Sequence, residues 1–182
     1  AIEKNAKRIE IVSLERIKEE MDKLLKAREP SIGLWILYNT GLLEYIMPEL
    51  TSLYGVDFID DKGHKNQFTH TLKVVDRIAV MTGKLNLRWA ALLHDIGKTP
   101  TKRFDKKKGW TFHGHDVVGA RIFAKLSKRL RFDNSSGKFI SKMIRWHLRP
   151  IALCDEGITD SAVRRLIVNM GDNLDDLIIL YR

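Results

Sequence analysis

The stretch Ala90-Ala91-Leu92-Leu93-His94-Asp95-Ile96-Gly97-Lys98 decides the fold. Its apolar lead is too short to span a bilayer, so it predicts a helix, from about Leu87 to Ile96, buried in a globular core. An imidazole and a carboxylate close that run, and burying either without a partner is costly. A divalent cation satisfies both at once. Gly97 suits the left-handed residue that ends a helix. Lys98 sets a cationic donor just beyond, where a phosphate can sit.

Working outward, residues 67–81 predict a helix with Phe68, Leu72, Val75 and Ala79 on one face. His70 lies one row over, in a column with Val74 and Ile78, at the edge of the buried face. Downstream, Pro100 is read as a helix breaker. Lys108-Gly109 marks a turn between two short extended arms, a small basic β-hairpin near 102–112. His113-Gly114-His115-Asp116 opens a helix to about Leu130, with Val117, Ala120, Phe123, Ala124 and Leu130 on one side. Asp133-Asn134-Ser135-Ser136 caps the next, which ends near His147 ahead of Pro150 and turns His147 inward with Ile140, Met143 and Ile144. Thr159-Asp160 starts a helix with Val163, Leu166, Ile167 and Met170 inward. Asp172-Asn173 starts a last one, with Leu174, Leu177, Ile178 and Tyr181, which still runs at Arg182.

Residues 1–60 read as a small all-helical unit. A short pattern to Val12 precedes Ser13, an N-cap, and then Leu14, Ile17, Met21, Leu24 and Leu25 at helical spacing. Pro30-Ser31 interrupts, Ile32 to Tyr38 is a dense apolar helix, and Gly41 starts another that stops before Pro48. Residues 51–66, with Gly55, Asp60, Asp61, Gly63 and His64, read as a loop and a domain boundary. The fold class is therefore all-α with one short hairpin: 1–60 first, then 61–182.

The chain has 182 residues, of which 44% are hydrophobic, enough for a real core. A single cysteine, Cys154, rules out an internal disulfide and points to a reducing, cytoplasmic setting. Nothing reads as a membrane span or signal peptide, so no membrane partner is expected. Thirty-two basic against 23 acidic residues leave +9, which suits a polyanion such as RNA or a solvated basic surface. The opening Ala1-Ile2-Glu3, without a Met, reads as a fragment of a longer protein.

All six histidines fall between 64 and 147. His70, His94 and Asp95 offer two nitrogens and a carboxylate, a set for Mg, Mn, Ni, Fe or Zn rather than a thiolate site. Such a metal would activate water and polarise a phosphate ester. Asp95, Lys98 and His115 are the candidate catalytic residues. Lys98, His115, His147, Lys102 and Arg103 are candidates for the substrate phosphate, and His115 and His147 also for a second metal. His64 and His113 read as exposed loop residues, Trp89, Trp110 and Trp146 as packing, and Asp172, Asp175 and Asp176 as helix caps.

His70 followed by Leu92-Leu93-His94-Asp95-Ile96-Gly97-Lys98 resembles the HD superfamily of metal-dependent phosphohydrolases. With Phe112 to Ala120 and Trp146-His147, the order is similar to the HD domain of the bacterial tRNA nucleotidyltransferase/poly(A) polymerase family. Val12 to Glu20, Gly41-Leu42-Leu43 and Met47 to Leu50 resemble the helical neck and body of that family. The resemblance implies a helical neck/body with an HD bundle, tRNA or other RNA as partner, and a nucleotide or phosphate ester as substrate. It also implies an upstream nucleotide-adding head, of which no motif occurs here, and a further Asp ligand just past Arg182, with Asp176 as a stand-in. A tRNA-binding module with a structural HD site, or a stand-alone HD nucleotide phosphohydrolase, are the alternatives.

Overall fold

The computed structural model describes residues 2–59, 62–155 and 159–181. Among these residues the architecture is helical, with two short antiparallel ribbons. Helix α1 (Ile2–Asn5) runs into a 3-10 turn, and the Ser13 side chain accepts from the Arg16 amide at 3.3 Å to start α2 (Leu14–Lys26). Ile17, Met21 and Leu25 face inward, and Leu14 is exposed. Pro30 begins α3 (Pro30–Asn39) rather than preceding it, because the first helical position needs no N–H. Gly41, at φ 73°, leads into α4 (Leu42–Ile46), followed by α5 (Pro48–Thr51).

The segment read as loop holds a ribbon instead, β1 (Phe58–Ile59) against β2 (Lys62–Gly63); Asp60 and Asp61 lie outside the described residues. Its polar composition hid two short extended pairs. The Trp110 indole donates to the Lys62 carbonyl at 2.8 Å and ties this ribbon to the predicted one, β3 (Arg103–Asp105) with β4 (Gly109–Thr111). The His64 side chain is enclosed, not exposed: its ring stands on Trp110 and Phe112, and its Nε2 accepts from the Asp57 amide at 3.2 Å.

Helices α6 (Gln67–Met81) and α7 (Leu85–Leu93) form the centre of the core. Every residue from Leu87 to Gly97 is buried. The helix ends at Leu93 and the chain turns through His94–Gly97, short of the expected Ile96. Gly97 has φ −79°, not a left-handed value. Its lack of a side chain answers a different need: a Cβ there would stand 2.1 Å from the His115 carbonyl oxygen and 2.6 Å from the Gly119 nitrogen. Pro100 sits inside the one-turn α8 (Lys98–Thr101), where first-turn amides need no helical acceptor.

Helices α9 (His115–Arg129) and α10 (Asn134–Trp146) pack against each other. Between them Arg131 takes φ 55°, the Phe132 amide reaches back to Ser127 O, and Asp133 caps the Ser136 amide at 2.9 Å. Ala124 faces solvent, one residue round from the buried Phe123. Helix α11 (Arg149–Asp155) follows at once, with Pro150 at its second position. Helix α12 (Asp160–Met170), capped by Thr159, and α13 (Leu174–Tyr181) close the fold. A 3-10 turn over Gly171–Asn173 delays the last helix to Leu174. Both helices are covered on one side only, so the buried stripe is narrower than the spacing implied. Leu166, Met170, Leu177 and Leu180 are buried, while Ile167 and Tyr181 are 48% and 43% exposed. Asp176 lies in the first turn of α13 with Asp175, as expected, and is also buried and paired with Lys84 at 2.8 Å. Arg182 lies outside the described residues.

Candidate metal centre

Four turns of chain deliver the site. His70 comes from the first turn of α6, His94 and Asp95 from the end of α7, His115 from the start of α9, and His147 from the end of α10. They line a cleft of about 300 Å3. Three of the imidazoles are fixed in the same way. Nδ1 of His94, His115 and His147 meets the carbonyl three residues upstream, on Ala91, Phe112 and Ile144, at 2.8, 2.7 and 2.7 Å. A carbonyl only accepts, so Nδ1 carries a proton and Nε2 is the nitrogen turned inward.

Asp95 lies between two histidine pairs. Its Oδ2 is 3.1 Å from His94 Nε2 and 4.0 Å from His70 Nε2. Its Oδ1 is 3.4 Å from His115 Nε2 and 3.8 Å from His147 Nε2. Each trio of ligand atoms falls within 4.8 Å. These separations are ones that ligands about 2.1 Å from a common ion can have. Oδ2 is buried without a properly directed hydrogen bond, although Lys98 Nζ lies 2.8 Å away in ion-pair contact. His115 and His147 bring their Nε2 atoms to 3.2 Å, so two lone pairs meet unless a proton or a cation lies between them. The residues therefore fit a divalent cation at Oδ2, and a second cation or a proton at Oδ1.

The electrostatics agree. Burial works against the Asp95 carboxylate, but His94, His115 and Lys98 more than offset it and hold its pKa well below the usual range. Burial also opposes charge on His94, and Asp95 beside it wins, so that imidazole is raised. Burial, then His94, lowers His70. The same two causes push His147 down to about 3. His70 and His147 thus stand neutral at pH 7, as ligands must.

Lys98 bridges Asp95 and the Gln67 amide oxygen, at 2.8 and 2.9 Å. Lys102 pairs with Asp57 and lines a separate small cleft with His64 and Lys98. Arg103 donates to the Lys102 carbonyl and lines neither cleft. Arg77 also lines the main cleft, and the sequence reading passed over it. It falls two helical turns after His70, and that seven-residue spacing was the available signal. Leu148, Ile151, Leu180 and Tyr181 add an apolar wall that no motif announced.

The family model described as HD domain matches residues 68–175. A model described as the probable RNA and SrmB-binding site of polymerase A matches residues 1–54. The CC-adding tRNA nucleotidyltransferase of Thermus thermophilus is 35% identical over 169 residues, 91% of this chain and 38% of the relative. The A-adding tRNA nucleotidyltransferase of Deinococcus radiodurans is 29% identical, over 99% of this chain and 41% of the relative. A multifunctional CCA protein of Neisseria meningitidis is 33% identical, over 74% and 32%. The chain spans about two fifths of the length of the first two relatives. Among the described residues no helix is long and apolar enough to cross a membrane.

Proposed function

This chain belongs to the HD-domain family, and we propose that its cleft is a metal-dependent phosphohydrolase acting on phosphomonoesters or 2′,3′-cyclic phosphates at RNA ends. The observation that carries this reading is Asp95: a buried carboxylate with one oxygen toward each of two histidine pairs. His70, His94 and Asp95 would hold the ion, and His115 and His147 would hold either a second ion or a proton at Nε2. When bound, a divalent cation supplies Lewis acidity toward a phosphoryl oxygen and hydroxide near neutral pH. Lys98 moves its ammonium against the phosphate, where charge grows in the transition state. His115 passes a proton through Nε2, and Lys102 and Arg103 on the basic ribbon draw the anion in.

The two relatives matched over nearly the whole chain, and the match at residues 1–54, support a place in tRNA 3′-end synthesis or repair in the cytoplasm. Residues 1–60 then serve as an RNA-binding neck and body, and 61–182 as the HD domain. The test is hydrolysis of bis(p-nitrophenyl) phosphate and of a 2′,3′-cyclic nucleotide across Mg, Mn, Ni, Fe and Zn. Metal-dependent turnover, lost in Asp95→Ala, supports the reading; full activity in that variant overturns it.

A second reading keeps the HD residues structural and the chain a tRNA-binding module. It is favoured by Lys98 and His94, which already compensate the Asp95 charge. That reading expects salt-sensitive tRNA binding indifferent to chelator.

A further inference from the structure

Between His115 and Trp146 the sequence carries eight Lys and Arg residues and two acids, Asp116 and Asp133, a balance of +6 in a chain whose total is +9. These residues build α9, α10 and the turn between them. Three of the eight cations are paired: Arg129 with Glu49 and Arg131 with Glu15 of the first helices, and Arg145 with Asp116 within the hairpin. The other acid, Asp133, is committed to capping α10. About two thirds of the net positive charge therefore sits on one helical pair.

That pair is not a flat basic face. It encloses a groove of about 560 Å3, separate from the metal cleft. Lys128, Lys138, Lys142 and Arg145 stand on its rim, and Phe132 and Trp146 line it. Phe132 meets Trp89 and Phe123 edge-on at 5.1 and 5.7 Å, with Lys18 Nζ 4.7 Å over its ring. Ser127, Asn134 and Ser141 add short polar groups. The groove's Arg145 and Trp146 directly precede His147, and Arg145 pairs with Asp116, the neighbour of His115.

We infer that this groove binds single-stranded RNA and leads it past the metal cleft. Cations along a recess follow the phosphates, while aromatic groups inside it stack with the bases. A lipid surface would need a planar face, and an acidic peptide would find little use for the aromatic floor. The inference rests on the reading that the protein works on RNA, and assigns that partner a surface on the HD domain in addition to the matched 1–54 segment.

The experiment is binding of a fluorescein-labelled 12-nucleotide RNA, by anisotropy, from 50 to 200 mM salt. The parent chain, Lys128→Gln/Lys138→Gln and Trp146→Ala are compared. Both lysines are exposed, and unchanged circular dichroism melting checks folding. Losing two phosphate contacts should lower the magnitude of the log Kd against log salt slope by about 1.4. Kd for the double variant should rise at least tenfold at 100 mM salt, and for Trp146→Ala by about fivefold or more. A parent that binds while the double variant keeps its slope and Kd overturns the groove and leaves the hydrolase reading intact. A parent that binds no RNA overturns the groove and the RNA partner together, and the Asp95→Ala assay still decides the hydrolase.

Discussion

At Asp95 one carboxylate serves two histidine pairs, and its variants separate charge from shape. Asp95→Asn keeps the volume and removes the anion, so divalent metal affinity should fall by about 100-fold or more, read by isothermal titration calorimetry. His147 supplies a test in pH. Its folded pKa, about 3, lies below the ordinary 6.5, so the unfolded chain takes up the proton first. The neutral buried ring therefore contributes stability that is complete above about pH 6.5 and is lost as pH falls toward 3, at up to about 1.4 kcal/mol per unit. His94 has the opposite sign: its raised pKa contributes below 6.5 and fades as pH rises through the folded value. Metal-free His147→Gln should thus lose about 2 kcal/mol less than the parent between pH 7 and pH 5, measured by urea denaturation in chelator. An equal loss in both proteins would refute the assignment.

Among the elements, the close approach of the His94–Gly97 turn to α9 sets the spacing of the two histidine pairs. Gly97→Ala forces a methyl group onto the His115 carbonyl. It should cost about 3 kcal/mol and weaken metal binding as well, because His115 shares that backbone. Paired urea melts and metal titrations check both. The same glycine shows how a sequence can give the right residue for the wrong reason: a helix-ending glycine and a contact glycine look alike until the partner strand of chain is known. Capping was plainer. Ser13 and Asp133 cap the helices they were expected to cap, and Thr159, expected to start its helix, caps it, since a cap is a local hydrogen bond. Asp133→Ala should cost about 1 kcal/mol in a urea melt.

Across the whole molecule, Arg88 joins the first helices to the bundle. It is buried on α7 and donates to the carbonyls of Leu25 and Ala27, at 2.7 and 2.9 Å, and to Ala79 and Thr82. These are the carbonyls that end α2 and α6, which have no helical donor of their own. Arg88→Met should cost about 3 kcal/mol or more, since several buried acceptors lose their donor together; the urea midpoint reports it. No pattern marked Arg88, because its partners lie up to 63 residues away. The sequence by itself determined the helical class, the central apolar helix, the predicted basic ribbon and the histidines and carboxylate of the site, all of which rest on local periodicity and on the chemistry of residue types. Only the tertiary structure decided that Asp95 shares its oxygens between two pairs, that Arg77 and the apolar wall join the cleft, that Asp176 answers Lys84, and that Lys128, Lys138, Lys142 and Arg145 meet around one groove. Each of these is a distance between chain segments remote in sequence, fixed by packing.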